Sequence, residues 1–105
     1  MFVCTRIIRS IFLNQMTRTI SILVTGKVQG VFYRRSAKDK ARELGLTGEV
    51  RNQDDGSVFI VATGGSDLLD AYVEWCKQGP PRAVVSKVLT TELEPRSFPH
   101  FTIIR

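Results

Sequence analysis

The sequence has 105 residues, 43% of them apolar and 24% charged, which are the proportions of one globular domain and exclude two. Two cysteines and one histidine, Cys4, Cys76 and His100, cannot form a disulfide framework and fall short of a four-ligand zinc site, so a hydrophobic core is expected to hold the fold, with no metal and no cofactor. Fifteen Lys and Arg against ten Asp and Glu give a net charge of +5, which favours anionic partners: phosphate groups, nucleic acid or an acidic membrane surface.

Residues 1–17 differ in kind from the rest and are expected to be an extension outside the domain, which spans 18–105. Met1 to Gln15 holds Arg6 and Arg9 and no acid, with Phe2, Val3, Ile7, Ile8, Ile11 and Phe12 spaced roughly as one helical face. An amphipathic membrane-surface helix, a transit peptide, a segment packed on the domain and an upstream tail before a start at Met16 all fit this pattern. The two arginines interrupt the apolar run, which is wrong for a secretory signal, and no run of eighteen apolar residues offers a membrane span; a cytoplasmic protein is expected.

Ile20, Ile22 and Val24 alternate with Thr19, Ser21 and Leu23, so Thr17 to Thr25 reads as a strand that ends at Gly26. Ala37, Ala41 and Leu44 then recur at helical spacing, with Lys38, Asp39, Lys40, Arg42 and Glu43 on the outer face and Gly45 as the stop. Leu46 to Asn52 and Ser57 to Thr63 are extended runs around Gln53-Asp54-Asp55-Gly56, a hairpin signal. Ser66 is placed as the N-cap of a second helix whose apolar stripe is Leu68, Leu69, Tyr72, Trp75 and Cys76, ending at Gly79-Pro80-Pro81. Ala83 to Thr91 reads as a fourth strand, and Phe101 to Ile104 as a short fifth beyond a connection containing Pro95 and Pro99. The order predicts an α+β fold: a ferredoxin-like split β-α-β sandwich, mostly antiparallel, with two helices on one face.

The chemically informative segment is Gly26-Lys27-Val28-Gln29-Gly30-Val31-Phe32-Tyr33-Arg34, between the first strand and the first helix. Two glycines four apart permit a tight loop, and a loop ending at a helix start can turn several unpaired N–H groups into one anion-binding concavity. Arg34, at the start of that helix, can add a forked guanidinium to the same phosphate or carboxylate. Spacing alone favours an ordinary turn with a solvated arginine, and it favours Asn52 as a mere turn residue.

These residues resemble the signature of the acylphosphatase family, through Gly26, Val28, Gln29, Gly30, Val31 and Arg34. A second signature of that family is similar in Gly48, Val50, Arg51, Asn52, Gly56, Val58 and Gly64, and the likeness runs from Arg18 to Arg105. The resemblance implies a metal-free hydrolase that cleaves the carboxyl–phosphate bond of acyl phosphates to carboxylate and inorganic phosphate. It implies that the backbone of Val28, Gln29, Gly30, Val31, Phe32, Tyr33 and Arg34 cradles the phosphoryl group, that the Arg34 side chain holds it, and that Asn52 positions the attacking water. Tyr33 is expected to pack, Cys76 to be an inert buried thiol, and Lys27 to be solvated. Where the family usually has an aromatic residue this chain has Glu49, which by strand alternation points away from the face of Val50 and Asn52.

The competing reading is a non-catalytic anion-binding or RNA-binding module of the same fold. RNA binders of this kind stack bases on aromatic residues of the first and third strands, where this sequence offers only Phe59, so no nucleic acid is expected. A part of a larger maturation factor and a degenerate relative are further alternatives; the presence of both Arg34 and Asn52 disfavours the latter. A monomer acting on a small molecule is the expectation.

Overall fold

The computed structural model describes residues 17–105, and the amphipathic stretch expected near the start lies outside them. Strand β1 (Thr17–Lys27) leads to helix α1 (Tyr33–Glu43), the hairpin of β2 (Thr47–Asn52) and β3 (Val58–Gly65), helix α2 (Ser66–Gln78), and strands β4 (Val84–Leu93) and β5 (Phe101–Ile104). They form one five-stranded sheet in the order β4-β1-β3-β2-β5. Every neighbouring pair is antiparallel except β2 and β5. This is the α+β architecture expected from the element order, with both helices on one face.

The period-two pattern of β1 decides what each face of the sheet packs against. Ile20, Ile22 and Val24 point to the helices and are buried with Val50, Val58, Ile60 and Ala62 beneath Ala37, Ala41, Leu69 and Tyr72. The alternate residues Thr19 and Thr63 face the other way, yet they are buried too, because the 94–100 connection crosses that face. Their hydroxyls lie 2.8 Å apart, Arg96 N–H donates to Thr19 Oγ1 at 2.9 Å, and Thr63 Oγ1 donates to the Arg96 carbonyl at 2.9 Å. The connection must travel from one sheet edge to the other, four inter-strand steps or about 19 Å. A nearly extended chain does this, which suits the two prolines within it.

Two buried tyrosines fasten the helices. Tyr72 Oη donates to the Ala37 carbonyl at 2.9 Å and Tyr33 Oη to the Cys76 carbonyl at 2.8 Å, while their rings pack on Trp75. The two bonds are unequal. The Ala37 carbonyl lies inside α1 and keeps the N–H of Ala41, whereas the residue four beyond Cys76 is Pro80, which has no N–H to give. Tyr33→Phe therefore strands a buried carbonyl and is expected to cost about 1–3 kcal/mol, against about 1 kcal/mol for Tyr72→Phe. Paired denaturant titrations check this ordering; equal losses would show that the proline plays no part.

β3 and β4 each run two residues past their expected ends, to Gly65 and Leu93, and three further details differ from expectation. β1 continues past Gly26, because Gly26 takes a φ of 127°, absorbs a bulge against β4, and lets pairing resume at once, Gly26 with Val85 and Lys27 with Val84. Ser66 is the first helical residue rather than the N-cap of α2: Gly65 occupies the cap in an extended conformation, and the Ser66 hydroxyl accepts a 2.7 Å bond from Arg18. Leu68 does not join the apolar stripe of α2; it is exposed, and Leu69, Tyr72 and Cys76 carry the buried face with Trp75 half-covered.

Candidate active site

Antiparallel pairing of β1 and β2 with the same partner, β3, makes those two strands point in one direction, and the parallel β2–β5 pair adds a third. The C-terminal ends of β1, β2 and β5 therefore meet at one edge of the molecule, where the chain turns from β1 into α1. A cavity of about 540 Å³ opens there, bounded by Val28, Gly30, Phe32, Tyr33, Arg34 and Asn52. Two segments far apart in sequence thus converge, as the paired signatures imply.

The 28–32 turn is shaped by two residues with positive φ, Gly30 at 73° and Phe32 at 62°. Left-handed residues interleaved with right-handed ones turn successive N–H groups to one side, forming a concave nest. Phe32 is also the N-cap of α1, and it has no side-chain oxygen to occupy the first-turn N–H groups. Among the described residues no carbonyl or side chain accepts from the N–H groups of Gly30 to Arg35, so the cradle and the positive end of the helix dipole both face an incoming anion. A bulky residue held in the left-handed region stores strain of about 1–3 kcal/mol. Phe32 gains little burial in return, being 68% exposed.

The other residues named from the sequence divide into site and support. Val28 and Val31 are buried and anchor the turn from below. Tyr33 packs as expected; burial raises its phenol well above the ordinary range and keeps it a neutral donor. Cys76 is fully buried, and desolvation pushes its thiol up to about 12, which makes it inert. The Gln29 side chain does not turn to the cavity. Its amide donates to two carbonyls of the β2–β3 hairpin, Gln53 at 2.8 Å and Ser57 at 2.9 Å.

That hairpin in turn holds Asn52, the last residue of β2. The Asn52 side chain shares the face of Val50 by strand alternation, and its Oδ1 is buried with no hydrogen-bond partner among the described residues. Across the turn, Ser57 donates its N–H and hydroxyl to Asp55 Oδ1, and these bonds, the hydroxyl's first, lower the Asp55 carboxyl below its ordinary value. The sign follows: this contribution to the hairpin is present above the ordinary carboxylate range and is lost as pH falls through the depressed value.

Sequence reading missed part of the wall. Lys38, expected on the outer face of α1, is half-buried and lines the cavity, and Arg35, Ile103 and Arg105 line it too. Lys38 follows Arg34 by four residues, so the i,i+4 spacing carried the signal. Arg105 had no comparable signal, because it arrives through the parallel pairing of Arg51 with Ile104. Glu49 stays outside the cavity, pairing with Arg96 at 4.0 Å, so its charge does not oppose an anion there. On β3, Phe59 lies beneath the Arg51 guanidinium at 5.5 Å rather than forming an open stacking platform.

A ferredoxin-like sheet with an N–H nest, an arginine and an asparagine at one edge defines a class of small phosphoryl-handling proteins. The comparisons specify it further. The Acylphosphatase family model matches residues 20–103. The chain is 61% identical over 72 residues to an acylphosphatase of Marinobacter nauticus, covering 69% of this chain and 78% of that protein. It is 46% identical over 89 residues to an acylphosphatase of Methylococcus capsulatus, covering 84% of this chain and 97% of that one. Among solved structures, an acylphosphatase from Coxiella burnetii superposes with a TM-score of 0.82 at 42% identity, covering 84% of this chain and 93% of that chain. The chain belongs to the acylphosphatase family, and its activity is that of a hydrolase acting on acyl phosphates.

Proposed function

We propose that hydrolysis proceeds by direct attack of water on a phosphoryl group seated in the N–H cradle of Val28 to Arg34, with the Arg34 guanidinium across two of its oxygens and the Asn52 side chain positioning the attacking water. The water oxygen bonds to phosphorus as the bond to the acyl oxygen breaks, and the electron pair leaves with the carboxylate. Both water protons end on phosphate oxygens, giving dihydrogen phosphate, which ionises on release. No side-chain base is required, because the substrate's own phosphoryl oxygens are more basic than the Asn52 amide. A carboxylate is a good leaving group, so orientation and stabilisation of charge on the equatorial oxygens supply the catalysis.

The observation that carries this reading is the convergence of Arg34, Asn52 and the free N–H groups on one cavity. Among the described residues no group of three His, Cys, Asp or Glu side chains comes together as metal ligands, so the residues present do not fit a metal-dependent site. Hydrolysis of benzoyl phosphate is expected to run at full rate in excess chelator, with inorganic phosphate as a competitive inhibitor. Loss of activity in chelator and recovery with magnesium or zinc would overturn the mechanism.

The same proposal places the whole reaction in residues 18–105, with 1–17 as an extension, and in a monomer acting in the cytoplasm. Among the described residues no helix is long and apolar enough to cross a membrane. Sedimentation of the active species and cell fractionation test the two parts.

A further inference from the structure

The cavity is much larger than a phosphoryl group requires, and the part beyond the cradle has a consistent chemical character. Its charged side chains are Arg34, Arg35, Lys38 and Arg105, all cationic, with the neutral Tyr33 phenol and the apolar Phe32 and Ile103 beside them. Among the described residues the ion pairs are Arg18–Glu92, Lys40–Glu43, Lys77–Glu74 and Arg96–Glu49, so none of the four cavity cations is neutralised by a carboxylate side chain. Arg34 and the N–H nest already answer the phosphoryl charge. Lys38 stands one helical turn further along α1, about 6 Å from Arg34 in axial rise, and is half-buried there. Arg105 reaches the same wall from β5. Holding like charges together around a partly enclosed space costs energy that an anion recovers.

We infer that this chain prefers acyl phosphates whose acyl group carries a second anionic group several bonds from the scissile linkage, with Lys38, Arg35 and Arg105 as the specificity-determining residues. The inference rests on the reaction proposed above and adds the substrate's far end. In the bound substrate the phosphoryl group lies in the nest, the acyl chain or ring runs along Phe32 and Ile103, and the distal anion sits between Lys38 and Arg105. The second charge takes no part in bond making. It is held equally in ground and transition states, so its loss raises KM more than it lowers kcat.

The test compares 4-carboxybenzoyl phosphate with its neutral analogue 4-carbamoylbenzoyl phosphate, which matches it in shape. The wild-type protein at low ionic strength is expected to favour the carboxylate about tenfold in kcat/KM, the combined scale of two or three partly exposed charge contacts, through KM. Added salt shrinks that preference because the contacts are screened. Lys38→Met is expected to bring the ratio towards one, Lys38→Glu to invert it, and Arg105→Gln to reduce it. Circular dichroism on each variant confirms the fold, and the ratio within one variant cancels any common loss. A wild-type ratio of one with both compounds hydrolysed overturns this inference and leaves the reaction standing. Failure to hydrolyse either compound overturns the reaction itself. A high ratio unchanged in all three variants shows that other residues read the substrate, which also overturns the assignment.

Discussion

Arg34→Gln is expected to lower kcat/KM for benzoyl phosphate by about 10³-fold and to abolish competitive inhibition by phosphate, while the melting temperature stays within about 2 °C of wild type or rises. The activity loss follows from removing a charged, forked donor aimed at oxygens that gain charge in the transition state. The stability result follows from the surroundings: Arg34 makes no hydrogen bond or ion pair to a described residue, and it shares its wall with three other cations. Removing one like charge from that group relieves repulsion. Phosphate protection that survives the substitution would show that the N–H nest alone holds the anion and would remove Arg34 from the site.

Asn52→Ala separates chemistry from binding. Turnover is expected to fall by about 10²-fold, the scale of losing one preorganised polar contact, while phosphate still inhibits with nearly its wild-type constant. Stability should hold or increase slightly, because the substitution deletes a buried acceptor that has no protein partner. A residue that serves the turn alone predicts the reverse: near-normal turnover and a loss of about 1 kcal/mol or less. Turnover, phosphate inhibition and thermal melting measured on one preparation decide between them.

The fold was legible where local chemistry and tertiary packing agree. The alternation of Ile20, Ile22 and Val24 survives because one face of β1 meets the helices, and the Asp-Gly of the hairpin sits where the chain reverses. Ser66 misled because a capping residue also serves as a hydrogen-bond acceptor, and Arg18, 48 residues away, claims its hydroxyl. Within the site, Arg34 and Asn52 were recognisable from their motifs, and the structure puts both on one cavity. Lys38 was overlooked because the outward face of a helix is judged against the core, although its i,i+4 spacing from Arg34 already placed it on the side of α1 that faces the cleft. Arg105 was hidden for a different reason: strand pairing of β5 with β2 spans half the chain, and no local pattern encodes which edge a terminal strand will join.

The bridge from Gln29 to the hairpin gives the β2–β3 turn an unusual status. Surface hairpin tips ordinarily accept extra residues, since little is packed against them. Here the Gln29 amide spans two carbonyls, Gln53 and Ser57, whose separation is set by the three residues between them. Gln53 N–H also donates to the Ser57 carbonyl at 2.9 Å, so one lengthened turn would pull apart both the ladder's end and the amide's two acceptors. The tip is thus a ruler. It measures the gap between the strand that presents Asn52 and the loop that cradles phosphate, so an inserted residue there is expected to cost more than any substitution of the exposed Asp54.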